Sequence, residues 1–195
     1  MLISNIRENG EPIGALPDGE MMFHHDMIHS EMPDKCTLLY SVEIPSTGGN
    51  TLFASGYAAY DTLDPAVRNK LEGRKAIHHY NYGSTQRGDG KGTEVFGESR
   101  HPVFRTHEDT GRKAVYVNRL MTVGVEGMPQ EESEPLLSAV FDQSEKKEFV
   151  YEHVWRVGDL LLWDNRCSSH ARTDFPSTER RLMLRTTVQG AARPS

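Results

Sequence analysis

Cysteine is nearly absent from this chain: Cys36 and Cys167 are the only two in 195 residues. So low a count excludes a small disulfide-stapled scaffold. Two thiols in a chain this size are expected to stay free, in a reducing, cytoplasmic compartment. Long apolar runs are missing too. Nothing approaches the roughly 18 consecutive apolar residues of a membrane helix, and the opening MLISNIRENG lacks the basic start, apolar middle and small-residue cleavage site of a signal peptide. No membrane partner is expected. Positive charge is in short supply, with 22 Lys and Arg against 28 Asp and Glu and a formal net charge of −6. The basic residues come in short pairs, not in the clustered stripe that a nucleic-acid partner requires. An anionic small molecule is not excluded, because a buried site can be locally basic inside an acidic protein. Internal repeats and low-complexity segments are also lacking.

What is present suffices for a single domain over 1–195. Hydrophobic residues make up 36% of the chain, enough for one core, while 17 Gly and 10 Pro predict many turns. β-rich runs predict strands at 21–29, at CTLLYSVEI (36–44), at TLFAS (51–55) and at RKAIHHYNY (74–82). HPVFRTH and KAVYVN flank EDTGR as a hairpin, and further strands are expected at EFVYEHVWRV, DLLLWDN and RRLMLRTTVQG. Helical spacing marks 56–72, broken at Pro65, and 128–146. Residues 83–100 carry five glycines and few apolar side chains, which predicts a long mobile lid loop. Many strands, few helices and irregular connections predict a mainly β fold, a double-stranded β-helix (jelly roll) with a few decorating helices.

The stretch MMFHHDMIHS (21–30) concentrates three histidines and an aspartate. On a strand, residues i and i+2 share a face, so His24 and Asp26 project together and His25 projects away. An imidazole and a carboxylate so placed hold two adjacent positions on one metal, and a second histidine completes the facial triad of non-haem Fe(II) oxygenases. The plainer reading is a hydrogen-bonded pair on a polar strand face. Of the remaining histidines His170 stands out, because it follows an apolar strand and a short polar loop in GDLLLWDNRCSSH. In RRLMLR, positions 181, 183 and 185 share a face, so Arg181 and Arg185 both have the option of pointing inward toward an anion. The alternative is a pair of surface arginines.

The motifs FHHD, GGNTLFAS, WDNRCSSH and RRLMLR occur in this order. Together they resemble the taurine dioxygenase / 2,4-dichlorophenoxyacetate dioxygenase family of Fe(II)- and 2-oxoglutarate-dependent oxygenases, from about residue 12 to residue 190. The resemblance implies that His24, Asp26 and His170 bind Fe(II), that Thr51 contacts a 2-oxoglutarate carboxylate, and that Arg181 ion-pairs with the far carboxylate of 2-oxoglutarate. It implies that Arg185 contacts a small anionic substrate of sulfonate or carboxylate type. Met121 in YVNRLMT falls where the family commonly has an aromatic lining the pocket, and a core methionine is the competing reading. Hydroxylation is implied, with O2 consumed and succinate and CO2 released. Asp26 favours that outcome, since a related halogenase would place a non-coordinating residue there to admit chloride. Asp164 and Asn165 are candidates to support the His170 loop from behind the metal.

Family members are longer, chiefly before the His-x-Asp motif, whereas only 23 residues precede His24 here. The chain is therefore expected to lack the family's N-terminal portion, or to have its pocket closed by a neighbouring subunit. Homo-oligomers, dimers or tetramers, are expected on the family's precedent. Two other readings compete. One is a weak or inactive family member serving as a metal- and ligand-binding module. The other is a zinc hydrolase, which leaves Thr51 and Arg181 without a role.

Overall fold

The computed structural model describes residues 1–15, 19–80, 85 and 97–195. The chain begins with β1 (Leu2–Ser4), β2 (Arg7–Glu8), β3 (Glu11–Pro12), β4 (Met21–His24), β5 (Asp34–Glu43) and β6 (Thr51–Ser55). It continues through α1 (Gly56–Thr62), α2 (Pro65–Leu71), β7 (Lys75–Tyr80), β8 (Gly97–Pro102), β9 (Phe104–Thr106), β10 (Lys113–Val115) and β11 (Thr122–Val125). It ends with α3 (Gln130–Ser144), a 3-10 turn (Lys147–Phe149), β12 (Val150–His153), β13 (Leu160–Asp164), β14 (Ser168–Arg172) and β15 (Leu182–Gln189).

Two four-stranded antiparallel sheets dominate, ordered β1-β15-β5-β13 and β12-β6-β14-β4. They pack face to face in a jelly roll. Alternation along β5 turns Thr37, Leu39 and Ser41 inward, all buried, and Tyr40 and Val42 outward. Leu39, Trp163 and Met183 from the first sheet meet Phe53 from the second and Trp155 from the loop after β12 in the apolar layer between them. A second core lies to one side, where α1, α2 and α3 cover strands that include β7, β10 and β11 through Leu63, Leu71, Val115, Val125, Leu137 and Phe141.

Local chemistry sets several boundaries. The expected break at Pro65 is a true helix start: Asp64 caps α2 by accepting the Ala66 N–H at 2.7 Å, and Pro65 sits where no helical N–H is needed. EDTGR does join a hairpin, with Lys113 opposite Thr106. Two expectations change. The strand expected over 21–29 ends at His24, and residues 26–29 form a turn with Met27 in the left-handed region (φ 56°). The polar loop expected before His170 is shorter than its polar residues suggest: 165–167 form a turn, and Ser168 and Ser169 already belong to β14, which runs centrally between β6 and β4. The lid expected at 83–100 lies outside the described residues except for Thr85 and residues 97–100, which belong to β8.

Candidate active site

Strand register assembles the site. His170 on β14 lies directly opposite His24 on β4 and, on its other side, opposite Phe53 on β6. Paired residues point to the same face, so His24, His170 and Phe53 all face the opposing sheet. The two imidazole centroids are 4.1 Å apart. Asp26, on the turn just beyond β4, brings Oδ2 to 3.8 Å from His170 Nε2. One ligand atom from each of His24, Asp26 and His170 lies within 4.8 Å of the other two, and all three residues are buried.

Each group is held in a state suited to ligation. The Nδ1 of His24 lies 2.9 Å from the Met22 carbonyl oxygen, to which it donates, so Nε2 keeps its lone pair for a metal. Burial pushes both imidazoles below the usual histidine range, His170 well below it, which favours their neutral, coordinating forms. Burial also acts to raise the Asp26 carboxyl. That effect is outweighed by His170, Arg185 and His24 and by the Thr37 hydrogen bond, and the carboxyl sits at about 2. Two neutral imidazoles and an ionised carboxylate on one side are the donor set of a non-haem Fe(II) centre.

The two residues expected to meet the cosubstrate are both buried. Thr51 lies two residues before Phe53 on the same face of β6, roughly 7 Å along the strand. Its Oγ1 accepts the Trp155 indole N–H at 3.0 Å, which leaves its own hydroxyl proton for another acceptor. Arg181, just before β15, is only 2% exposed. Its guanidinium makes no hydrogen bond or ion pair among the described residues, and Nε is fully buried without a partner. Burial lowers its pKa to about 10, with Arg172 adding repulsion. Gly49, left-handed at φ 65°, closes over it: a Cβ there would lie 3.3 Å from Arg181 Nε. A buried guanidinium without a partner among the described residues, together with a hydroxyl that has its hydrogen to give, fits a dianion such as 2-oxoglutarate.

The remaining candidates are placed as follows. Arg185 reaches the metal carboxylate itself, with Nη2 2.6 Å from Asp26 Oδ1, while its buried Nε has no partner. Met121 packs in a separate apolar cluster with Ile28, Tyr116 and Leu120, the surroundings of a core methionine. His25 turns away toward Asn118 and Tyr116. His29 stacks on Tyr80. Asp164 and Asn165 divide. Asn165 reaches β5 by donating to Thr37, whereas Asp164 is gripped through both oxygens by Arg166. His107 and Cys167 join Asp164 in a second metal-like group, but the Arg166 cation already occupies its carboxylate. Thr37 is not among the residues that the sequence singles out; its inward phase on β5 is the one signal available for it.

The chain belongs to the taurine catabolism dioxygenase TauD, TfdA family, whose model matches residues 1–187. Among curated relatives, the alpha-ketoglutarate-dependent 2,4-dichlorophenoxyacetate dioxygenase of Cupriavidus pinatubonensis is 34% identical over 186 residues. That match covers 93% of this chain but 64% of the relative, so the chain spans less than two thirds of its length. A taurine dioxygenase structure from Burkholderia xenovorans superposes with a TM-score of 0.75 at 27% identity, over 88% of this chain and 57% of that one. The structure of AAD-2 in complex with Mn(II) and N-oxalylglycine gives 0.77 at 30% identity, over 89% and 70% of the two chains.

Proposed function

We propose that this protein is an Fe(II)- and 2-oxoglutarate-dependent dioxygenase that hydroxylates a small anionic organic compound of sulfonate or carboxylate type. The observation that carries the reading is the buried His24, Asp26 and His170 cluster together with the unpartnered guanidinium of Arg181. When bound, iron and 2-oxoglutarate supply O2 activation, with the cosubstrate oxidatively decarboxylated to succinate and CO2 as a substrate C–H bond is hydroxylated.

His24, Asp26 and His170 would hold the metal. Thr51 would donate its hydroxyl hydrogen to a carboxylate of 2-oxoglutarate, and Arg181 would ion-pair with the far carboxylate. The Mn(II) and N-oxalylglycine of the AAD-2 complex are stand-ins for Fe(II) and 2-oxoglutarate, which supports the proposed metal and cosubstrate. Arg185 uses its Nε–H, which has no partner among the described residues, toward the substrate anion; the packing of Met121 with Ile28, Tyr116 and Leu120 favours the core reading over a pocket contact. Phe53 and Trp163 pack beside His170 and exclude water from that side. The fold is one domain.

Cytoplasmic residence is supported by two free cysteines; no helix among the described residues is long and apolar enough to cross a membrane. A homo-oligomer, dimer or tetramer, is supported by an apolar outer face on the first sheet.

The test is succinate release with Fe(II) and 2-oxoglutarate across a panel of sulfonates, aryloxyalkanoates and amino acids. At least one compound should stimulate turnover, and His24→Ala should abolish it. Metal binding without succinate from any compound would reduce the protein to a ligand-binding module, and full activity in His24→Ala would refute the metal assignment.

A further inference from the structure

The carboxylate of Asp26 is held by a chain of three side chains that no metal ligand belongs to. Thr37 Oγ1 donates to Asp26 Oδ2 at 2.6 Å. Asn165 Nδ2 donates to Thr37 Oγ1 at 2.9 Å. Trp163 Nε1 donates to Asn165 Oδ1 at 2.9 Å. Thr37 and Asn165 are both 0% exposed, and Trp163 is buried. Thr37 and Trp163 are direct cross-strand neighbours on β5 and β13, and Asn165 follows the end of β13 with its backbone N–H bonded to the Lys35 carbonyl.

The direction of every bond in this chain is dictated by chemistry. An indole N–H only donates, so the Asn165 amide must turn its oxygen to Trp163 and its NH2 to Thr37. A hydroxyl whose oxygen already accepts from that NH2 has its one proton left for Asp26. The proton therefore arrives at Oδ2, the oxygen that faces His170, while Arg185 takes Oδ1. The carboxylate is thus pinned at both oxygens in one rotamer, with a remaining lone pair of Oδ2 available on the histidine side.

We propose that Thr37 is a positioning residue for the metal site, and that Trp163 and Asn165 act through it by fixing the orientation of its hydroxyl. The proposal rests on the metal reading above and concerns pre-organisation of the ligand set before any ion arrives. A carboxylate free to rotate would have to be ordered by the ion itself, at a cost in affinity. The relay also links the two sheets, since Thr37, Trp163 and Asn165 come from the first and the turn holding Asp26 extends from the second.

The experiment is Mn(II) binding to the full chain, followed by loss of the free-ion EPR signal, with no substrate or turnover involved. Thr37→Val keeps the shape and removes the proton; it should weaken binding roughly 10- to 100-fold. Thr37→Ser restores the hydroxyl and should return affinity to within about threefold of the original. Asn165→Leu should weaken binding less, and adding Thr37→Val to it should cost no more than Thr37→Val alone, because the two act in series. Unchanged affinity in Thr37→Val overturns the proposal, as does equal loss in the Val and Ser variants, which is the mark of packing alone. If Thr37→Val fails to fold, the Ser and Asn165→Leu variants carry the same test: near-normal binding in Ser with a loss in Leu supports the relay, and any other pattern overturns it. Failure of the unaltered protein to bind Mn(II) or Fe(II) would sink the metal reading and the relay with it, a result distinguishable from loss confined to the variants.

Discussion

A buried guanidinium with no anion beside it opposes folding, and Arg181 has none among the described residues. Desolvating a charge costs several kcal/mol unless a partner compensates it. Methionine at this position carries no charge to desolvate, and the proposed use of the guanidinium lies with a ligand rather than with the fold. Arg181→Met is accordingly expected to separate stability from binding. The ligand-free protein should gain about 1–3 kcal/mol against urea, while its affinity for 2-oxoglutarate, followed by titration, should fall at least tenfold. A variant less stable than the original would mean that Arg181 has a structural counter-charge. Thr51 makes the complementary point at residue scale. Because its oxygen accepts from Trp155, its proton is committed outward, and neither residue announces this in sequence. The three residues that residue type singled out do come together in one buried cluster, yet the argument used for Asp26 assumed a continuing strand. The left-handed turn at Met27 belongs to the segment that actually carries the carboxylate.

At the scale of elements, the junction of β6 and α1 shows how packing overrides propensity. Ser55 caps α1 by accepting the Ala58 N–H, and Gly56 opens the helix. Alanine is the better helix former by about 1 kcal/mol. At Gly56, however, a Cβ would lie 2.8 Å from the Val115 carbonyl oxygen and 2.9 Å from that of Cys167. Gly56→Ala is therefore expected to destabilise by about 1–3 kcal/mol, read from the urea midpoint. An unchanged or raised midpoint would show that both carbonyls yield. The clash involves the loop before His170, so this glycine sets how closely α1 approaches the metal strand. Elements with strong local signals, such as TLFAS, the Pro65 break and the 104–115 hairpin, were legible in sequence. β14 was not, because SSHAR is polar on its surface and becomes a strand only through backbone pairing to β4 and β6.

For the whole molecule, the outer face of the first sheet breaks the usual rule of polar residues outside. Register aligns Leu160, Tyr40, Leu184 and Leu2 in one row and Leu162, Leu38 and Thr186 in the next. Leu160 and Leu162 are 62% and 63% exposed. Neither row contains a charge, so a second copy meets no like-charge clash there, and a continuous apolar patch of this kind marks a contact surface. Light scattering at micromolar concentration should give an oligomeric mass, and the Leu160→Glu, Leu162→Glu double variant should dissociate it without loss of Mn(II) binding. A monomeric original protein, or an oligomer indifferent to the substitutions, would remove this face from the assembly.

What the sequence by itself determined is chemical: which side chains are able to ligate a metal, which cations await an anion, and a period of alternation that makes the chain mainly β. Those are local properties, carried by residue type and by spacings of two to four positions. The tertiary structure decided the rest. It set His170 opposite His24 across nearly 150 residues of chain, buried Arg181 beneath Gly49, drew Arg185 to Asp26 and aimed the Thr37 proton at the metal carboxylate. Which strands become neighbours depends on how two sheets bury their apolar faces against each other, an energy summed over the whole core, and no short stretch of sequence contains it.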